Sequence, residues 1–320
     1  MSTTEYLVCD FCYRHCRLKD GGIGFCGVRE RSGDTIFTHN YGGLVSSAID
    51  PVEKKPLYHF LPGTNTLSIA MFGCNLTCTF CQNYAISQRA WEEGAQRTYY
   101  TAREVVQLAV DNRCPSISFT YSEPLVWQDY MVEVATFAKR EGLKTIMVTN
   151  GTFSEESLIR ISPYIDAFNI DIKGDEAFYR NYCGGSGHPV WNAIEHIAPS
   201  RAHLEITTMI MEGVHTREMI SSIGRHLYSA GVQVWHLSRY FPRYQEQKRE
   251  TSEHYLKEVV QEAQESMVPF IYPGNSSLDQ NTYCPYCRTL LVRRSWVSLE
   301  SIIDHSNCPV CGRHIYGTWS

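Results

Sequence analysis

No apolar run in this 320-residue chain is long enough to cross a bilayer, which sets aside an integral membrane role. The N-terminus, Met1-Ser2-Thr3-Thr4-Glu5-Tyr6, lacks a basic-then-apolar signal pattern, so a cytoplasmic location is expected. Internal repeats and low-complexity tracts are absent, excluding a solenoid or a linker-like chain. Charge is modest: 20% of residues are charged and the formal net charge is −5. That balance argues against bulk attraction to nucleic acid or anionic membrane and leaves room only for a local basic patch. At 43% hydrophobic, the chain has ordinary globular composition and suits one large domain with appendages, or two domains.

Cysteine, by contrast, is abundant. Of 13 cysteines, only Cys114 and Cys183 stand alone. The others form three groups: Cys9, Cys12, Cys16 and Cys26; Cys74, Cys78 and Cys81; Cys284, Cys287, Cys308 and Cys311. Tight grouping in a reducing compartment points to metals rather than disulfides. The middle group, within Gly73-Cys74-Asn75-Leu76-Thr77-Cys78-Thr79-Phe80-Cys81, is spaced C-x3-C-x2-C and has no fourth thiol nearby. A [4Fe–4S] cubane held by three thiolates keeps one iron open, and an open metal position is where substrate or cofactor binds. The competing reading is a structural zinc loop or buried free thiols.

The C-terminal group reads C-x2-C-x20-C-x2-C, the spacing of a zinc ribbon, with His305 and His314 as substitute ligands. Its Arg288, Arg293, Arg294 and Arg313 suit a docking surface for protein or RNA, although such ribbons are often only structural. The N-terminal group, C-x2-C-x3-C-x9-C, fits neither a ferredoxin run nor a symmetric ribbon. Zinc is the first reading there and an auxiliary iron–sulfur cluster the second.

The element pattern predicts three regions: a cysteine-rich segment over 1–65, a regular region over 66–278 and a ribbon over 279–320. Thr35–Tyr41 and Leu44–Ile49 read as a hairpin turned at Gly42-Gly43. From Leu67 onward short apolar strands alternate with amphipathic helices, the first opened by the capping box Thr101–Glu104. Helices are also expected near 125–140, 154–161, 175–182, 190–197, 216–229 and 252–265. Such alternation implies a parallel sheet with right-handed crossovers. The expected fold is α/β, a full or partial (β/α) barrel, with functional residues at the C-terminal strand ends.

Polar clusters do follow the strands: Tyr121-Ser122-Glu123-Pro124, Thr149-Asn150-Gly151, Asp171-Ile172-Lys173 and Trp235-His236-Leu237-Ser238-Arg239. Taken without any relative, these are a helix start, a turn, a surface ion pair and a core histidine. Arg239 could also take a carboxylate or phosphate bidentately. Cys183, beside Gly184-Gly185, reads as an inert buried thiol or as a hydrogen donor facing the pocket.

The C-x3-C-x2-C loop with Phe80 before its last cysteine resembles the signature of the radical S-adenosylmethionine (SAM) superfamily. The resemblance implies a [4Fe–4S] cluster on Cys74, Cys78 and Cys81 that binds SAM through its open iron. It also implies reductive cleavage to a 5'-deoxyadenosyl radical that abstracts hydrogen from a substrate. Ser122-Glu123-Pro124 is similar to that superfamily's Gly-Gly-Glu-Pro stretch, with Tyr121 and Ser122 where the glycines stand. Asn150-Gly151 and Asp171-x-Lys173 resemble SAM-pocket segments of the pyruvate formate-lyase activating enzyme branch, with Val148 replacing an expected Asp. The likeness therefore implies cofactor contacts by Phe80, Glu123, Asn150, Asp171, Lys173 and His236. With Cys9–Leu18, Gly24–Arg29, Glu53–Phe60 and the tail included, the whole chain resembles the AmmeMemoRadiSam system radical SAM enzymes. The expected partners are a flavodoxin or ferredoxin as electron donor and a protein partner. The substrate is either a small molecule or macromolecule, or else a partner enzyme receiving a glycyl radical. A zinc-binding interaction protein with a degenerate barrel would instead lack any capacity for iron.

Overall fold

The computed structural model describes residues 5–88, 98–295 and 298–319. Its centre is a nine-stranded sheet: β1 (Gly43–Pro51), β2 (Asn65–Met71), β3 (Thr98–Tyr99), β4 (Ser116–Phe119), β5 (Lys144–Thr149), β6 (Ala167–Asp171), β7 (His203–Ile210), β8 (Val234–Arg239) and β9 (Phe270–Gly274). The spatial order is β9-β8-β7-β6-β5-β4-β2-β1-β3. Strands β2 and β4 to β9 run parallel, while β1 lies antiparallel on β2 and β3 antiparallel on β1. Because β9 and β3 do not pair, the barrel is partial. Among the described residues, six helices of seven residues or more connect the strands: α1 (Ala102–Asp111), α2 (Gln128–Arg140), α3 (Glu155–Ile161), α4 (His188–Ile197), α5 (Arg217–Ser229) and α6 (Glu253–Gln264).

Local chemistry accounts for these elements. The Thr101–Glu104 capping box starts α1, which buries Ala102, Val105, Val106 and Ala109 on one helical face. Ser154, Thr216 and Ser252 cap α3, α5 and α6 with their hydroxyls. Strands β4 and β6 are buried nearly throughout, as expected where helices cover a parallel sheet.

Two expectations are corrected. Thr35–Thr38 pairs not with the Leu44 segment but with Arg29–Ser32, through a turn with Gly33 at φ 58°, while β1 joins the central sheet. The sequence Arg-Glu-Arg-Ser reads as polar, yet Arg29 and Arg31 are buried by hydrogen bonds made across the fold. Residues 175–182 form only a short helical turn, Glu176–Phe178, which widens into a π-helical turn over Tyr179–Cys183.

At the base of the barrel the carboxylate of Glu205, on β7, is fully buried. It accepts from the backbone N–H groups of Tyr58 (3.0 Å) and His59 (2.7 Å). It also meets Nε2 of His203 (2.9 Å) and of His236 (2.6 Å). Burial alone would raise its pKa; hydrogen bonds from the two histidines outweigh that and hold it well below the ordinary value. His59 reaches on to the Tyr316 carbonyl (2.6 Å) and the Tyr272 hydroxyl (2.7 Å). The C-terminal segment with its strands Thr282–Tyr283, Leu290–Arg294 and Leu299–Ser301 is thereby tied to the barrel, and Leu291, Val292 and the later Ile315 share a core cluster with Tyr58 and Phe270. Among the described residues no helix is long and apolar enough to cross a membrane.

Glu205→Ala should lower unfolding free energy by about 3 kcal/mol or more, because four partners lose a buried acceptor. Glu205→Gln, keeping part of the set, should cost less. Urea denaturation followed by circular dichroism checks both.

Candidate active site

The cluster loop leaves the C-terminal end of β2. Gly73 begins it at φ 113°, where a Cβ would meet Val28 Cγ1 at 2.9 Å and the Cys26 carbonyl at 3.0 Å. Only glycine lets the N-terminal segment pack so closely under the loop. The loop is then stitched to the π-helical turn, with Thr77 N–H donating to the Cys183 carbonyl and Thr79 N–H to that of Tyr182, both at 2.9 Å. Cys74, Cys78 and Cys81 face one cavity of about 450 Å³, a size that suits a cofactor-scale ligand. As free thiols all three have raised pKa values. For Cys74 and Cys81 the chief cause is burial; for Cys78 it is a hydrogen bond with Cys183, followed by burial. Metal binding must displace those protons.

Glu123 follows β4 and lines the same cavity. One of its oxygens accepts from Leu125 N–H (3.0 Å) and the Thr149 hydroxyl (2.6 Å), the other from Asn150 N–H (2.8 Å). Burial is the dominant influence and raises its pKa to about 7, despite those donors. Asn150 turns its side chain toward the cluster loop: Nδ2 donates to Asn75 Oδ1 (2.9 Å) and lies 3.8 Å from Cys74 Sγ. Gly151 next to it has φ 72°, and a Cβ there would strike Ile170 Cγ2 at 2.7 Å. Lys173 and Asp171 pair at 3.0 Å on the cavity wall. Burial would lower the lysine's pKa, but Asp171 first, then Cys78 and Cys183, hold it well above the ordinary value. Lys173 therefore stays cationic beside the cysteines. Phe80 is buried on the cavity wall, its ring 5.6 Å from that of Phe178.

Two predicted residues, His236 and Cys183, take other surroundings. His236 shares the inner face of β8 with Ser238, which lines the cavity, but lies one layer deeper, about 6–7 Å along the strand, where Glu205 claims its Nε2. Cys183 is fully buried behind Cys78, and its carbonyl anchors the loop. Arg239 does reach the cavity, held by the Thr251 carbonyl (2.7 Å) and 3.6 Å from Glu250 and Glu253.

Sequence reasoning singled out Tyr121 but missed its partners Asp50 and Lys55. Tyr121 occupies the left-handed region at φ 70°, so the backbone keeps the conformation that a glycine would favour, at a cost of about 1–2 kcal/mol. Its hydroxyl donates to Asp50, which also pairs with buried Lys55 (2.9 Å). The run Glu53-Lys54-Lys55-Pro56 was the available signal.

The C-terminal cysteines form a separate centre. Their four sulfurs lie within 4.8 Å of one another, with Cys284–Cys311 at 3.7 Å and Cys287–Cys308 at 3.6 Å. Four thiolates at about 2.3 Å from one ion require roughly that spacing, so the donor set fits a tetrahedral metal. His305 and His314 are outside the group.

Three thiols, a buried carboxylate and a lysine thus meet on one cavity at the mouth of a parallel partial barrel, the arrangement of an enzyme active site. The sequence model of the Radical SAM superfamily matches residues 68–226. An uncharacterised protein of Methanocaldococcus jannaschii is 34% identical over 316 residues, covering 96% of this chain and 94% of its own. A putative glycyl-radical enzyme activating enzyme of the same organism is 26% identical over 165 residues, 49% of this chain and 66% of that one. Streptococcus suis SuiB bound to S-adenosylmethionine superposes with a TM-score of 0.54 at 14% identity, covering 71% of this chain and 53% of the other. The chain belongs to the radical SAM superfamily and is a radical SAM enzyme. Membership implies SAM and a [4Fe–4S] cluster, and three thiols lining one ligand-sized cavity fit both.

Cys308→Ser is expected to lower bound metal by about one ion per chain and to lower Tm, since a tetrahedral ion there needs all four thiolates. Elemental analysis with calorimetry reads both.

Proposed function

We propose that Cys74, Cys78 and Cys81 hold the [4Fe–4S] cluster, and that Glu123, Asn150, Asp171 and Lys173 receive SAM against Phe80. The observation that carries this is their convergence on one cavity at the strand ends. With both groups bound, the chemistry supplied is reductive cleavage of SAM to a 5'-deoxyadenosyl radical and hydrogen abstraction from a substrate. Glu123 is the acceptor for the SAM ammonium: a buried carboxylate among neutral donors gains most from a cation. Lys173 is the partner for the SAM carboxylate. Asn150 holds Cys74 and the loop in place. Arg239 at the wall suits a carboxylate or phosphate of the substrate, a small molecule or modifiable macromolecule. A flavodoxin or ferredoxin supplies the electron. Zinc is the metal of the C-terminal ribbon.

A second reading is activation of a partner enzyme by placing a glycyl radical. It is favoured by the relatives described as putative glycyl-radical enzyme activating enzymes. The two part company experimentally, since activation leaves a persistent glycyl-radical signal on the partner by electron paramagnetic resonance (EPR).

Anaerobic enzyme reconstituted with iron and sulfide, reduced and given SAM, should form 5'-deoxyadenosine by mass spectrometry, and Cys78→Ala should form none. Equal product from both proteins would sink the assignment. SAM affinity should fall as pH drops below about 7, because Glu123 is then protonated and cannot take the ammonium. Glu123→Gln should bind SAM about 10-fold or more weakly, the loss of one charge-assisted hydrogen bond, and should flatten that pH dependence. Isothermal titration calorimetry at several pH values checks both.

A further inference from the structure

The N-terminal cysteines sit directly beneath the active-site loop. Cys9, Cys12 and Cys16 lie on and between the short paired strands Leu7–Val8 and Arg17–Leu18, and Cys26 lies in the loop before Arg29–Ser32. All four line one cavity with room for a water-sized body. Two observations bear on what fills it.

The first is spacing. Among the described residues, only the C-terminal cysteines gather to the mutual distance that a single ion imposes. The N-terminal four stand wider apart around a shared space, as the three active-site cysteines also do. That arrangement suits a body larger than one ion. The second is Arg29, which lines the cavity at 4% exposure. Its Nη1 is paired with Asp129 (2.8 Å) and its Nη2 donates to the Ile36 carbonyl (3.0 Å). Its Nε is buried without a partner. A buried N–H left unmet costs about 1–3 kcal/mol, so an acceptor is wanted there. Sulfides and thiolates of a cluster are such acceptors, and the guanidinium offsets the negative charge of four thiolates.

We propose that Cys9, Cys12, Cys16 and Cys26 hold a second iron–sulfur cluster, with Arg29 Nε donating to it. Asn75 joins the two sites: it lines the cavity of the N-terminal cysteines, its side chain accepts from Asn150 Nδ2 (2.9 Å), and its backbone follows Cys74. One electron from a low-potential protein donor can enter at the N-terminal site and leave toward Cys74, so the site returns to its starting state.

The test removes the active-site cluster and asks what iron remains. A Cys74→Ala, Cys78→Ala, Cys81→Ala variant is reconstituted anaerobically, and its iron, sulfide and zinc are quantified. About four irons and four sulfides should persist per chain, with an EPR signal on reduction. They should vanish when Cys12→Ser and Cys16→Ser are added. Zinc at the N-terminal site, or no metal there, overturns the proposal. Should the triple variant fail to fold, Mössbauer quantitation of the wild-type holoprotein decides: about eight irons per chain support the second cluster and about four exclude it. Neither measurement needs SAM cleavage, so the proposal stands or falls apart from the proposed reaction.

Discussion

A single buried carboxylate, Glu205, organises the end of the barrel away from the active site. Unpaired, it would cost several kcal/mol in the low-dielectric interior. It is instead met by two backbone N–H groups of the Tyr58-His59 strap, by His203 two residues earlier on its own strand and by His236 on the neighbouring strand. His59, fixed by that contact, holds the carbonyl of Tyr316 and so the C-terminal ribbon. Strap, sheet and ribbon meet at one charge, and none of the three can leave without exposing it to an environment that cannot solvate it.

The contrast with Glu123 shows how one barrel uses two buried glutamates differently. Glu205 is answered by histidines and stays well below the ordinary carboxylate pKa. Glu123 takes its hydrogen bonds from neutral donors, with Lys173 the smallest of the influences that lower it, and burial lifts it to about 7. The first is a satisfied joint. The second keeps a raised pKa, a perturbation that clusters at functional sites.

Above and beneath the cluster loop, close backbone approach matters more than charge. Gly73 admits the Cys26 carbonyl, and Gly151 lets the Asn150 turn pack on Ile170. Tyr121 keeps a left-handed backbone without being glycine, since its hydroxyl is anchored by Asp50 and Lys55. The Tyr121 side chain thereby adds a tie to β1.

Much of this protein was legible in its sequence, because the relevant physics is local. Short apolar runs alternating with amphipathic segments located the parallel strands and their helices, and Thr101–Glu104 marked a cap that the structure contains. Thiol spacings within a few residues separated the three cysteine groups. Polar residues just past apolar strands pointed to Glu123, Asn150 and Lys173, which the barrel brings to one cavity. The tertiary structure alone decided contacts between residues far apart in the chain. Glu205 gave no sign that it would bind Tyr58 and His59, and His236 looked equivalent to Ser238 until strand depth placed it against that carboxylate. The Arg29–Ser32 strand escaped notice because its arginines are buried by partners such as Asp129, 100 residues away. Periodicity and spacing report what a segment tends to do by itself; which buried charge it meets is set only when the whole sheet closes around it.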